Sequence, residues 1–204
     1  MSHLILLSGG VESATLLHHA HRREPIFPVF LDYGQRAAPW ERRAAQAQCD
    51  ALRLPLKRLD LASLGRDFRA GQSKQFHVPL PHRNLIALSV ALSYATQIGA
   101  KRLSLALNRE DTLAYPSASP AFLASFRALA GTLGGVEITT PLIELDKAEV
   151  VRLGRSLGVD YARTYSCLLG HAQHCGRCPQ CLKRQAAFAE AGVSEPEDFY
   201  RQRR

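Results

Sequence analysis

The stretch His3 to His21, "HLILLSGGVESATLLHHAH", opens as an apolar strand, breaks at Ser8, Gly9 and Gly10, and resumes as a helix. A strand that passes through a glycine turn into a helix N-terminus leaves backbone N–H groups without intrahelical partners. The helix dipole adds partial positive charge at the same place, so an anion, above all a phosphate, is attracted there. Ser8 and Ser13 flank the glycines and supply two hydroxyls, so the segment reads as a nest for pyrophosphate. A plain tight turn is the competing reading. The stretch is not a Walker A loop, because no lysine follows the glycines, and it lacks the G-x-G-x-x-G of dinucleotide sites.

Working outward, short apolar runs alternate with helical patterns: "LILLS" then Ser13 to Arg23, "IFPVFLDY" then Trp40 to Leu52, "LKRLDL" then Asn84 to Ile98, "RLSLAL" then Pro120 to Leu133, and "VEITTP" then Asp146 to Leu157. This order predicts an α/β fold with a doubly wound, mainly parallel sheet. Ligands of such sheets sit beyond the strand C-termini, and the first such end is "SGGVES". The polar segment Ser63 to Arg83 reads as a long loop, either functional or a tolerated surface insertion. After Gly158 the rhythm stops and a cysteine-rich segment follows. The expected organisation is a nucleotide-binding domain over residues 1–160 and a C-terminal lobe over 161–204 packed on it.

The 204 residues carry 26 Lys and Arg against 18 Asp and Glu, a formal charge of +8. That balance suits a phosphate-bearing partner, nucleotide or nucleic acid, although an arginine-rich solvated surface would give the same count. The terminal "RQRR" reads as a frayed tail. "MSHLILLSGG" has no basic region ahead of its apolar run and no stretch is long enough to span a membrane, so the expectation is a cytoplasmic protein.

Four of the five cysteines, Cys167, Cys175, Cys178 and Cys181, are spaced C-x7-C-x2-C-x2-C. Two x2 spacings gather thiolates around one ion, and four sulfurs close a tetrahedral site, which predicts structural Zn²⁺. Disulfide pairing is the alternative, and a cytoplasmic setting argues against it. His171 and His174 lie inside the loop as substitute ligands or, since the thiolates fill the shell, as capping groups. A closed site has no open position for substrate, so the metal is expected to hold the lobe in place. The segment lacks interleaved aromatics for stacking on bases. Cys49 reads as an ordinary half-buried thiol on a helix.

Together these stretches resemble a known family. "LLSGGVESATLL" is similar to the PP-loop of the N-type ATP pyrophosphatases. "LDYGQR" at 31–36, "RNLIALSVALSYATQIGA" at 83–100, "TPLIELDKAEVVRLGRSLGV" at 140–159 and "YSCLLGHAQHCGRCPQCLKR" at 165–184 are similar to the QueC, or 7-cyano-7-deazaguanine synthase, family. The resemblance implies a homodimeric enzyme in which ATP adenylates the carboxylate of 7-carboxy-7-deazaguanine, ammonia displaces AMP, and a second ATP drives dehydration of the amide to the nitrile. It implies that Ser8, Gly9, Gly10 and Ser13 hold pyrophosphate and that Glu12 stands where Mg²⁺ is approached. Arg36, Arg83 and Lys147 would steady phosphate charge, with a plain helix-surface position as the other reading of Lys147. Asn84, Tyr115 and Pro116 would face the deazaguanine, the four cysteines would bind zinc, and Arg184 matches the arginine that follows the last cysteine.

The chain departs from the family pattern in places. The PP-loop acid, usually Asp, is Glu12. "V-x-G-R-N" becomes "LPHRN" with His82 in place of glycine. "G-Y-P-D-C-R" becomes "AYPSASP", with Ser117 and Ser119 where an acid and an arginine are expected. The N–H edge of a guanine-like base calls for an acid, which leaves that role to another residue such as Glu110 or Asp111. Two alternatives follow: a QueC-like ligase of an anti-phage system that joins the acyl group to a protein amine, and a zinc-stabilised nucleic-acid-binding module without catalysis.

Overall fold

The computed structural model describes residues 2–70 and 80–202. Five strands, β1 (His3–Leu6), β2 (Ile26–Asp32), β3 (Lys57–Asp60), β4 (Arg102–Ser104) and β5 (Glu137–Thr139), form one sheet in the order β3-β2-β1-β4-β5. Every pairing is parallel, with His3 opposite both Ile26 and Arg102. A parallel central strand must be apolar on both faces, and β1 is: Ile5 and the following Leu7 enter one core while Leu4 and Leu6 enter the other. The first core is closed by α1 (Val11–His21), α2 (Ala38–Ala51), α7 (Lys147–Leu157) and α8 (Pro179–Ala191). The second is closed by α4 (Arg83–Gln97) and α6 (Pro120–Thr132).

The expected strands and crossover helices are all present. Two expectations need correction. The segment from Ser63 is not loop throughout, because α3 (Ala62–Arg69) occupies its first part and turns Leu64 towards the second core. The rest of that stretch, residues 71–79, lies outside the described residues, as do the last two residues of the basic tail. Helical structure also does not stop at Gly158, since α8 begins inside the cysteine motif with Pro179 at its first position. A short α5 (Arg109–Ala114) follows β4. Among the described residues no helix is long and apolar enough to cross a membrane.

The sheet reverses winding direction between β1 and β4, and the crevice beyond their C-terminal ends is where ligands of open α/β sheets bind. Packing of α1 against α7 fixes one wall of it. A Cβ on Gly154 would meet Tyr161 Oη at 1.9 Å and Thr15 Oγ1 at 2.5 Å, so only glycine lets the two helices close on that tyrosine. The hydroxyls of Tyr161 and Thr15 bond at 2.8 Å.

Candidate active site at the sheet switch point

Gly9 has a φ of +79°, and a Cβ there would lie 2.4 Å from the carbonyl oxygen of Glu41 and 2.8 Å from the amide nitrogen of Ala45. The turn after β1 thus needs glycine both for its left-handed backbone and for contact with α2. Gly10 is the N-cap of α1 and offers no side-chain cap, which leaves the helix N-terminus open to an external acceptor. The hydroxyls of Ser8 and Ser13 lie 3.1 Å apart, and Ser13 Oγ donates to the Gly10 carbonyl at 3.2 Å. The turn thus sets two hydroxyls beside an uncapped helix N-terminus, an arrangement that favours an anion.

Glu12, in the first turn of α1, is paired with the ammonium of Lys147, the first residue of α7. Both side chains are less than a fifth exposed, so Lys147 is a partner within the crevice and not a surface residue. Burial by itself would raise the Glu12 carboxyl, but the Lys147 charge and hydrogen bond outweigh it and hold the group below the usual carboxylate range. The site therefore presents an ionised acid with Oε1 engaged by Lys147.

Asn108, just beyond β4, is a part of the site that sequence reasoning passed over. It caps α5, its Oδ1 accepting from the Asp111 amide at 3.0 Å while Asp111 Oδ2 accepts from the Asn108 amide at 3.2 Å. Its Nδ2 donates to Glu12 Oε1 at 3.4 Å. The signal was available as "NREDTL", a cap residue followed three positions later by an acid. Of the two acids proposed to read a nucleobase, Asp111 is thus engaged in this cap, its carboxyl pushed up by burial and by Glu12. Glu110 accepts from the Lys147 backbone amide at 3.2 Å.

On the β2 side, "LDYGQR" forms a turn braced by Gln35, whose side chain accepts from the Tyr33 amide at 3.0 Å and donates to Leu31 O at 3.3 Å and Glu41 at 2.8 Å. Tyr33 Oη then accepts from Arg83 Nη1 at 3.4 Å. Arg36 is exposed, its backbone packed at Gly170 of the cysteine loop. Asn84 is buried and donates to the Ser117 carbonyl at 3.2 Å, so it supports the 115–119 stretch through its backbone. Tyr115 and Pro116 are exposed at the head of a short 3₁₀ turn. Ser119 caps α6 by accepting from the Phe122 amide at 3.2 Å, which gives the serine found in place of arginine a structural role.

The four cysteines of the C-terminal lobe are all buried and unbridged, and their sulfurs lie within 4.8 Å of one another. Sulfurs held ~2.3 Å from one tetrahedral ion stand ~3.8 Å apart, and Cys175 and Cys181 are at 3.9 Å. Backbone amides of Cys175 and Cys178 point at neighbouring sulfurs, at 3.5 and 3.2 Å. The donor set fits one metal ion in a closed shell. His174 is no ligand here: its Nε2 accepts from the Ser166 amide at 2.9 Å, its ring stacks on Phe199, and burial pushes its pKa down to about 3. His171 is exposed. Cys49 is fully buried on α2 rather than half-buried as its sequence position suggests, because it packs into the first core, and burial pushes its thiol up to about 12.

Arg184 ties the C-terminal segment together from inside. It is fully buried and donates to Glu195 at 2.7 Å, Thr164 Oγ1 at 2.8 Å, Ser166 Oγ at 3.2 Å and Tyr161 O at 2.8 Å, with the Phe199 ring 4.4 Å from its guanidinium. Removing one member of a buried ion pair strands the other, so Arg184→Met is expected to cost about 3 kcal/mol in urea unfolding. A loss below about 1 kcal/mol, the range of exposed pairs, would show that the pair does not hold the lobe. The lobe reaches the nest directly, because the Tyr165 amide donates to Gly9 O at 2.9 Å.

Comparison with known proteins places this geometry. The 7-cyano-7-deazaguanine synthase 1 of Sulfurisphaera tokodaii is 34% identical over 200 residues, covering 98% of each chain. The 7-cyano-7-deazaguanine synthase of Magnetococcus marinus is 37% identical over 224 residues, covering 98% of this chain and 97% of the relative. Among solved structures, NMN synthetase from Francisella tularensis superposes with a TM-score of 0.57 at 18% identity, covering 96% of this chain and 79% of that one. The NH3-dependent NAD synthetase of Campylobacter jejuni gives 0.54 at 20%, covering 78% and 65%. These two share the fold. The family model described as "Queuosine biosynthesis protein QueC" matches residues 2–192, and the chain belongs to the QueC family.

Proposed function

We propose that the chain is an ATP-dependent, carbon-nitrogen bond-forming enzyme acting on 7-carboxy-7-deazaguanine, with Mg²⁺ at the nucleotide and Zn²⁺ in the four-cysteine lobe. The observation that carries the reading is the ionised Glu12 beside Lys147, at the mouth of the uncapped α1 and at the sheet's switch point. A carboxylate is a poor electrophile. When its oxygen attacks the α-phosphorus of ATP, pyrophosphate leaves and the oxygen becomes part of a leaving group. Ammonia then attacks the acyl carbon, AMP departs and an amide remains. A second ATP takes the amide oxygen in the same way, and loss of AMP and a proton leaves the nitrile.

The residues have separate tasks in this scheme. The amides of the α1 N-terminus with Ser8 and Ser13 receive pyrophosphate. Glu12 would hold the cation, which would supply charge neutralisation at the phosphates. Lys147 and Arg83 add positive charge, and catalysis rests on positioning and on charge stabilisation. The closed cysteine shell has no catalytic share, and the enzyme works as a soluble cytoplasmic homodimer.

The test is exchange of labelled pyrophosphate into ATP. Exchange that requires both Mg²⁺ and 7-carboxy-7-deazaguanine is expected, because adenylation is reversible before an amine arrives. Exchange that ignores the carboxylate would sink the reading. A second acceptor, the amine of a protein, is favoured by the altered 115–119 stretch, where Ser119 is a helix cap. Formation of the amide without nitrile would select it.

A further inference from the structure

We propose that Asn108 is a positioning residue that fixes which oxygen of Glu12 is free to meet the cation. The inference rests on the reading of Glu12 given above and adds a residue to it. The order of the sheet puts β4 beside β1, so the end of β4 and the first turn of α1 face each other across the crevice. Four residues beyond β4, at the N-cap of α5, Asn108 is 3% exposed and its side-chain amide has no choice of orientation. Its oxygen is the cap acceptor for the Asp111 amide, so its nitrogen must point the other way, and there it meets Glu12 Oε1. Lys147 binds that same oxygen. Two donors from two elements thereby converge on Oε1.

Glu12 Oε2 lies on the side of the nest: it is 3.8 Å from where a Cβ on Gly10 would stand, a position that is also 3.4 Å from Ser8 Oγ. The division of labour between the oxygens matters more for glutamate than for aspartate, because glutamate has one more rotatable bond to lose on ordering. A catalytic group misplaced by about 1 Å can cost about a hundredfold in rate. The charged groups around Glu12 are Lys147 from α7, Asp111 from α5 and Arg184 from α8, and of these only Lys147 bonds to it directly. Asn108 supplies what charge alone does not, a directional bond anchored to the backbone of the first turn of α5.

Asn108→Ser separates this role from capping. Serine caps helices about as well as asparagine, yet it is too short to reach Glu12. Calorimetry of ATP binding is done in excess Mg²⁺ and in excess chelator. Asn108→Ser is expected to weaken binding about tenfold with Mg²⁺, in line with loss of a hydrogen bond to a charged group, and to leave metal-free binding and the melting temperature unchanged. In a Glu12→Ala background the same change should have less than about a twofold effect, since the bond it removes is already gone. Equal weakening with and without Mg²⁺, or an undiminished effect in the Glu12→Ala background, would overturn the inference. If Glu12→Ala itself leaves the Mg²⁺-dependent gain intact, the assignment of Glu12 fails and Asn108 fails with it. If Glu12→Ala abolishes that gain while Asn108→Ser matches the parent, only the role of Asn108 is lost.

Discussion

Cys178→Ser is expected to yield a chain without stoichiometric zinc and without a cooperative unfolding transition. A structural zinc site contributes about 10–16 kcal/mol, as much as or more than the ~5–15 kcal/mol by which a whole domain is stable. The cysteine end of the lobe has little core of its own. Its buried cluster consists of the four cysteines with Ala37, Ala44, Tyr165 and Tyr200. The damage would spread, because the Tyr165 amide holds Gly9 O and Trp40 donates its indole N–H to Gly170 O at 3.0 Å. Elemental analysis of purified protein and calorimetric melting check it. A variant that melts like the parent would show that the lobe stands without metal.

Glu12→Gln is expected to lower the rate of AMP release at saturating ATP and carboxylate by at least about a thousandfold, roughly 4 kcal/mol in the barrier. Glutamine preserves shape and the bond from Asn108 but removes the charge, leaving Lys147 without its counter-ion. Glu12→Asp keeps the charge and withdraws it by one methylene from both Lys147 and Asn108, so about a hundredfold loss is expected. A fully active Glu12→Gln would require withdrawing this residue from the metal. The two variants together distinguish charge from reach.

Much of this was legible in the sequence because the central strands β1 and β2 are short apolar runs bounded by turn residues, the pattern that burial on both faces produces, while the edge strands β3 ("KRLD") and β5 ("EIT") are marked by their place in the strand-helix rhythm. The elements that were missed lack that pattern. In α3, "ASLGRDFR" buries only Gly65 completely, and α5 spans six residues with none buried. The start of α8 is hidden under the spacing of its cysteines. The nest and the four-sulfur cluster were readable because their members are near neighbours in the chain. Glu12 and Lys147, 135 residues apart, could be brought together only by the packing of α1 on α7. Arg184 lies in "CLKRQ", where nothing distinguishes a buried arginine from a surface one.

On the proposed reading, this crevice turns a deazaguanine carboxylate into an acyl group that nitrogen captures. The most direct measurement is mass spectrometry of the product after incubating the protein with ATP, Mg²⁺, ammonium and 7-carboxy-7-deazaguanine. The account predicts the nitrile, with two AMP released for each one formed and the amide as a transient species. Unchanged carboxylate, with no AMP above the level seen in its absence, would contradict it.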